Sequence, residues 1–132
     1  LKEGQHITVE TPLHTSVTIC QDRKLLRHML MNLLTNAAKF SEEKKEILVR
    51  ITLNEHTITF AVKDSGIGIP ERNKKDLFNR FFRADNVEQI QGTGLGLSIV
   101  AQYTALLKGT VSFESEEGKG SEFIITVPRN LN

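Results

Sequence analysis

Apolar residues recur along this chain at two different spacings, and each spacing predicts a kind of secondary structure. Apolar and other residues alternate in six short segments, as in half-buried β-strands. These segments are residues 7–9, 17–19, 47–53, 58–62, 111–113 and 123–127. After Asp22, a good N-cap residue, apolar side chains recur in pairs three and four positions apart as far as Ala37, which predicts an amphipathic helix. A second helix is predicted from Leu95 to Leu107, and a short one within residues 71–82.

The order of these elements predicts the fold class. Neighbouring strands are close enough in sequence to pair as hairpins, and the two helices must then cover one face of the sheet. We therefore expect an α/β two-layer sandwich with a mixed, mainly antiparallel sheet, formed by residues 1–132 as a single domain. A doubly wound parallel sheet would need a more regular alternation of strands and helices. The long irregular segment from Ser65 to about Gly92 is typical of a lid or a binding loop.

Composition excludes several classes of protein. Of the 132 residues, 39% are hydrophobic and 25% are charged, as in ordinary globular domains. The 17 basic and 16 acidic residues are scattered, and pairs such as Lys74-Lys75 are too short to form a nucleic-acid-binding patch. No apolar run approaches the roughly 18 residues of a membrane span. The single Cys20 favours a reducing, cytosolic compartment, and because the chain opens at Leu1 we expect a fragment of a longer protein.

The first helix carries a polar flank opposite its apolar stripe. Its spacing brings His28, Asn32, Asn36 and Lys39 together on that flank. Amide oxygens are neutral, hard ligands that suit Mg²⁺, and a nearby lysine adds positive charge for phosphates. A solvated helix face is the simpler interpretation of these residues taken by themselves.

A carboxylate ends the apolar row of the strand at residues 58–62. By the same parity, Asp64 faces the core, where an anion needs partners. It could cap the turn that follows it, or accept a hydrogen bond from the exocyclic amine of a bound adenine. Gly66 and Gly68 would let the backbone pass close to a flat base.

A glycine-rich segment, residues 92–97, runs directly into the second helix. Alternate glycines and the free amides of a helix start make an anion site, although a plain flexible loop is also possible. A Walker A loop would need Gly-Lys-Ser/Thr, and a Rossmann fingerprint would need Gly or Ala in place of Ile99. Before this segment, Phe78, Phe81 and Phe82 are expected to anchor the irregular loop, with the arginines of residues 80–83 available to phosphates.

Four segments in this order, residues 32–39, 64–70, 78–83 and 92–97, closely resemble the N, first-glycine, F and second-glycine boxes of sensor histidine kinases. The wider GHKL superfamily also includes gyrase subunits, mismatch-repair ATPases and the ninety-kilodalton heat-shock chaperones. The resemblance covers nearly the whole chain. It implies the Bergerat ATP-binding fold, with an ATP lid at about residues 70–93.

Carried over position by position, the resemblance implies that ATP and Mg²⁺ are the cofactors and that Asn36 binds the metal. Asn32 and Lys39 would then support the phosphates, and Asp64 would hold the adenine amine. The implied ATP-binding residues are Asn32, Asn36, Lys39, Asp64, Gly66, Gly68, Ile69, Phe82, Arg83, Gly92, Thr93, Gly94, Leu95, Gly96 and Leu97.

The resemblance further implies a catalytic domain that phosphorylates a histidine on a separate dimerisation domain, with a response regulator downstream. The domain would be cytoplasmic and would contact neither nucleic acid nor membrane, while its parent protein could be anchored in the inner membrane. Hydrolysing relatives carry a glutamate where Asn32 stands, so we expect slow hydrolysis. The four histidines lack the acidic neighbour of the acceptor motif, so efficient self-phosphorylation is not expected. A noncatalytic ATP-dependent interaction module and a slow ATPase are the alternatives.

Overall fold

The computed structural model describes residues 6–10, 21–41, 46–79 and 96–129. Within them lie five strands, two α-helices and one short 3₁₀ helix, Glu71–Asp76. In chain order, the strands and α-helices are β1 (His6–Glu10), α1 (Arg23–Phe40), β2 (Glu46–Leu53), β3 (Thr57–Asp64), α2 (Gly96–Leu106), β4 (Thr110–Glu116) and β5 (Gly120–Pro128). The strand predicted at residues 17–19 lies outside the described residues.

The strands form one mixed sheet with the order β1-β2-β3-β5-β4. β1 runs parallel to β2, and the other three pairs are antiparallel. The sheet is therefore mixed and mainly antiparallel, as the sequence predicts. The predicted hairpin between β2 and β3 is also observed. Its turn is held by the Asn54 side chain, whose Oδ1 accepts from the backbone N–H groups of His56 at 2.8 Å and Thr57 at 2.7 Å.

α1 begins where its sequence predicts. Oδ1 of Asp22 accepts hydrogen bonds from the backbone N–H groups of Lys24 at 3.0 Å and Leu25 at 3.1 Å, which satisfies two amides that the first turn leaves unpaired. Its apolar stripe is buried, with Met29 and Leu33 at the centre. Neither helix in the described part of the chain is both long enough and apolar enough to cross a bilayer.

Both helices pack against each other and against the same sheet, so the described part of the molecule has two layers. The covered face is apolar, with Ile47 of β2, Phe60 of β3 and Ile125 of β5 all buried. On the opposite face, residues such as Arg50 and Lys63 are exposed. This arrangement confirms the predicted α/β sandwich and explains the alternating pattern, because each strand has one face towards the helices.

Candidate functional site

A polar row crosses the covered face of the sheet at one end of three strands. Asp64 of β3 is paired with Ser121 of β5, which is paired in turn with Ser115 of β4. Residues directly opposite on antiparallel strands project to the same face, so the three side chains are neighbours. The next row inward is apolar and contains Val62 and Phe123. The apolar core therefore ends in a line of hydrogen-bonding groups.

Asp64 is buried at the end of this row, with a relative exposure of 7%. Its Oδ1 accepts a hydrogen bond from the backbone N–H of Gly66 at 2.9 Å. Burial raises the pKa of the Asp64 carboxyl above its ordinary value, while backbone hydrogen bonds from Gly66 and Ser121 partly oppose the rise. The turn-capping role considered from the sequence is thus observed. It does not exclude a ligand, because a carboxylate has about four acceptor positions on two oxygens.

The loop after Asp64 is held on both sides by backbone contacts. On one side, the Ile67 N–H donates to the Phe40 carbonyl at the end of α1, at 3.1 Å. On the other, the Gly118 N–H, in the turn between β4 and β5, donates to the Ile67 carbonyl at 2.7 Å. The loop is therefore clamped between the end of α1 and the β4–β5 turn.

Two glycines make this clamp possible. A Cβ atom on Gly66 would lie 2.1 Å from the Phe40 carbonyl oxygen, and one on Gly68 would lie 2.1 Å from the Glu116 carbonyl oxygen. Gly68 also has a φ of +69°, which favours glycine. From the sequence, we expect these glycines to let the backbone pass close to a planar base. In the structure, the nearest atoms that exclude a side chain there are backbone atoms of the protein itself.

The polar flank of α1 meets the start of α2. A Cβ atom on Gly96 would lie 3.5 Å from Oδ1 of Asn32 and 3.8 Å from both Oδ1 and Nδ2 of Asn36. The backbone N–H groups in the first turn of an α-helix point towards its N-terminal end, so two amide side chains lie beside a group of backbone donors. Lys39 is half-buried in the last turn of α1. His28, expected on the same flank, packs its ring edge-on against Tyr103 of α2, with centroids 6.0 Å apart.

α1 connects the two halves of the candidate site. Asn32 and Asn36 face the start of α2, and the carbonyl of Phe40, one turn further on, holds the loop that follows Asp64. Residues that are distant in sequence are therefore brought to one end of one helix. Of the residues predicted from sequence, Phe82, Arg83, Gly92, Thr93, Gly94 and Leu95 lie outside the described residues.

A single aromatic cluster fixes the chain that follows the glycine loop. The ring of Phe78 lies edge-on to Phe113, with centroids 5.7 Å apart, and to Phe123, at 6.4 Å. Phe113 and Phe123 are stacked on each other across the β4–β5 pair. This is the anchoring contact that the sequence predicts for Phe78. Phe81 lies outside the described residues.

The sequence interpretation missed Ser115, which contacts the glycine loop, and the roles of its partners Ser121 and Lys74. Ser115 Oγ accepts from the backbone N–H of Ile69 at 2.9 Å and lies 2.7 Å from Ser121 Oγ. Lys74 Nζ donates to the Ser115 carbonyl at 2.7 Å and pairs with the Glu71 carboxylate at 2.8 Å. The parity used for Asp64 could have found the two serines, because Ser115 follows the apolar row of β4 by two residues and Ser121 precedes the apolar row of β5 by two residues.

The amide oxygens beside Gly96 fit a magnesium ion whose other ligands are water and the phosphate oxygens of a bound molecule. In the part of the chain that the structure describes, no cluster of three or more His, Cys, Asp or Glu side chains could hold a metal. Mg²⁺ needs few protein ligands and keeps waters and phosphate oxygens in its octahedral shell. One or two amide oxygens at Asn32 and Asn36 meet that requirement, provided that the bound molecule brings phosphates.

Known proteins are similar in sequence to most of this chain. Residues 21–131 match the family model described as histidine kinase-, DNA gyrase B- and HSP90-like ATPase. The chain is 40% identical over 109 residues to the circadian input-output histidine kinase CikA of Synechococcus elongatus, which covers 81% of this chain and 14% of CikA.

Solved structures give the same result for the fold. The mycobacterial sensor histidine kinase MprB superposes with a TM-score of 0.82 at 26% identity, covering 96% of this chain and 85% of that one. Full-length ShkA in complex with AMPPNP superposes with a TM-score of 0.78 at 31% identity, covering 95% of this chain and 26% of ShkA. The chain thus spans a small part of the length of CikA and of ShkA.

Proposed function

Since this chain belongs to the family of histidine kinase-, DNA gyrase B- and HSP90-like ATPases, as a histidine kinase ATP-binding catalytic domain, we propose that it transfers the γ-phosphoryl group of ATP to a histidine of a separate domain. One observation supports this proposal most directly: Asn32 and Asn36 of α1 lie beside the start of α2. The end of the same helix α1 holds the loop that follows Asp64.

The adenine half of the proposed site lies at the end of β3. One oxygen of Asp64 accepts from the Gly66 N–H, and the carboxylate still has acceptor capacity for the exocyclic amine of adenine. Guanine carries a carbonyl at the corresponding position, which would face the carboxylate as a second acceptor. The loop from Gly66 to Ile69, clamped from both sides, would form one wall beside the base.

The phosphate half lies between α1 and α2. Asn36 would hold Mg²⁺, and Asn32 and Lys39 would support the phosphates together with the backbone amides at the start of α2. When bound, the metal supplies charge neutralisation for the phosphate oxygens. The remaining proposed contacts are those implied by the family resemblance: Phe82, Arg83, Gly92, Thr93, Gly94, Leu95, Gly96 and Leu97.

This chain has little covalent chemistry to perform during the transfer. The neutral imidazole of the acceptor attacks the γ-phosphorus in line, a nitrogen–phosphorus bond forms, and the bond to the β–γ bridging oxygen breaks to release ADP. The other ring nitrogen then gives up its proton to a base outside this chain or to water. The domain therefore contributes alignment and electrostatic stabilisation. Asn32 cannot act as a general base, so water is poorly activated and hydrolysis should be slow.

The proposed partners follow from this division of labour. The phosphoacceptor histidine lies on a dimerisation domain of the parent protein, and a response regulator receives the phosphoryl group afterwards. We propose that the ATP-binding domain and the response regulator are both cytoplasmic, since ATP is available there.

The direct test mixes the chain with the dimerisation-helix domain of its parent protein and radiolabelled ATP. We expect acid-labile, base-stable phosphate on the partner and none on a partner variant that lacks the acceptor histidine. ATP binding without transfer to any supplied histidine domain would instead favour a noncatalytic, nucleotide-dependent module. Rapid phosphate release without a partner would favour an ATPase.

A further inference from the structure

The hydroxyl of Ser115 has three partners, which is all that a hydroxyl can bind. Its Oγ lies 2.9 Å from the Ile69 nitrogen, 3.0 Å from the Gly120 carbonyl oxygen and 2.7 Å from Ser121 Oγ. A hydroxyl has one donor proton and two acceptor positions. Because the Ile69 N–H and the Gly120 carbonyl fix two of these, Ser121 donates to Ser115 and fills the third.

These three bonds join parts of the chain that come from different elements. Ile69 ends the glycine loop, Gly120 begins β5, and Ser121 is the cross-strand neighbour of Asp64. The carbonyl of Ser115 also accepts from Lys74, in the 3₁₀ helix that follows the loop. One residue of β4 therefore fixes the distance between the loop and the strand end that carries Asp64.

We propose that Ser115 is a positioning residue for base selection, acting through the glycine loop and Ser121 rather than by touching the nucleotide. This inference rests on the proposed function, since it assumes that Asp64 and the loop from Gly66 to Ile69 receive adenine. Discrimination between adenine and guanine requires the carboxylate to stay at a fixed position relative to the wall beside the base. A loop freed from Ser115 would shift and accommodate either base.

The strand offers its own matched control. Ser112 lies on β4 three residues before Ser115, is exposed, and faces the opposite side of the sheet beside Ile124. Ser112→Ala removes the same hydroxyl from the same strand without touching the loop. Ser115→Thr keeps the hydroxyl and suits a strand, whereas Ser115→Ala removes it and leaves the Ile69 N–H without its acceptor.

The experiment titrates the wild type and these three variants with Mg-ATP and Mg-GTP by calorimetry. We expect Ser115→Ala to weaken Mg-ATP binding by about 5- to 100-fold, because a loop freed from Ser115 has to be ordered when the base binds. Mg-GTP binding should weaken less, so the ratio of the two affinities falls. Ser112→Ala should keep the wild-type ratio, and Ser115→Thr should restore it. Hydrogen exchange should show faster exchange at Ile69 in Ser115→Ala, with the β3–β5 amides unchanged.

The results separate the two proposals. A wild type that ignores adenine nucleotides overturns the proposed function and this inference with it. A wild type that prefers Mg-ATP, together with a Ser115→Ala variant of unchanged preference, overturns only the role of Ser115. If Ser115→Ala fails to fold, Ser115→Cys, which keeps the shape but weakens the hydrogen bonds, takes its place. A preference unchanged in that variant is equally decisive against the inference.

Discussion

Asn32 and Gly96 face each other where α1 meets α2: the Asn32 amide oxygen lies 3.5 Å from the point that a Cβ atom on Gly96 would occupy. This is an ordinary van der Waals separation, so a methyl group fits there without displacing atoms of the described residues. The space it would fill is the one assigned to phosphates and metal. Fold and ligand binding can therefore be separated at this position.

Gly96→Ala should leave the domain as stable as the wild type or slightly more so, because alanine in a helix is favoured over glycine by about 0.5–1 kcal/mol. We expect Mg-ATP affinity to fall by about tenfold, since a methyl group narrows the space beside Asn32 and Asn36. Thermal unfolding and calorimetric titration of the same preparation measure the two effects.

Gly66→Ala is the contrasting control. Its Cβ atom would lie 2.1 Å from the Phe40 carbonyl oxygen, and backbone must move to make room. We expect a loss of stability of at least about 2 kcal/mol, comparable to overpacking a core. If Gly96→Ala proved as destabilising as Gly66→Ala, the space at the start of α2 would be a packing contact and not a ligand site.

Asn36→Ala should remove the magnesium dependence of nucleotide binding while leaving the fold intact. Asn36 is half-buried at the α1–α2 contact, and its amide oxygen is the proposed ligand. ATP titrations with magnesium and with EDTA should differ for the wild type and coincide for the variant. Thr35→Ala, at the exposed position beside it on the same helix, should behave as the wild type. Circular dichroism of an unfolded Asn36→Ala would argue for a structural role.

Asp64→Asn should reduce the preference for adenine nucleotides. The substitution keeps the shape of the side chain but replaces one acceptor oxygen with an NH₂ donor, which would oppose the adenine amine. We expect Mg-ATP binding to weaken by about 1–3 kcal/mol and Mg-GTP binding to change less. An unaltered ratio of the two affinities would refute the assignment of Asp64 to the base.

Acidification should affect stability and binding in opposite directions at Asp64. Its pKa in the folded chain is raised above the ordinary 3.8, so the folded state holds this proton more tightly than the unfolded state. Between pH 3.8 and the raised pKa, the free energy of unfolding contributed by this group increases as the pH falls. Nucleotide affinity should decrease over the same range, because protonation removes the negative charge of the acceptor.

Denaturant unfolding of the wild type and of Asp64→Asn at a series of pH values measures the first effect. Subtracting the free energy of unfolding of the variant from that of the wild type cancels the contributions of the other titrating groups. We expect this difference to increase in favour of the wild type as the pH is lowered. A difference that moves the other way would mean that the folded state stabilises the charge of Asp64.

Sequence patterns predicted the described strands and helices, the β2–β3 hairpin and the anchoring of Phe78, but not most of the contacts between elements distant in sequence. The parity that leads from Val62 to Asp64 is a property of one strand, so it could be found in the sequence, as could the cap at Asp22. The pairing of Ser115 with Ser121 depends on cross-strand register, and the clamp at Gly66 depends on where α1 ends in space. Such contacts join residues distant in sequence, and local spacing carries no information about them.

The parallel pairing of β1 with β2 has a consequence for the order in which the sheet opens. Ile7 lies beside Ile47, forty positions along the chain, so closing this pair encloses a loop that contains α1 and costs more chain entropy than closing a hairpin. The antiparallel pairs β2–β3 and β4–β5 close over short turns and lose little chain entropy. Ile7 and Val9 are 40% and 56% exposed, so burial of apolar surface on β1 offsets little of this entropy loss. We therefore expect fraying to start at this edge rather than at the strand end that carries Asp64.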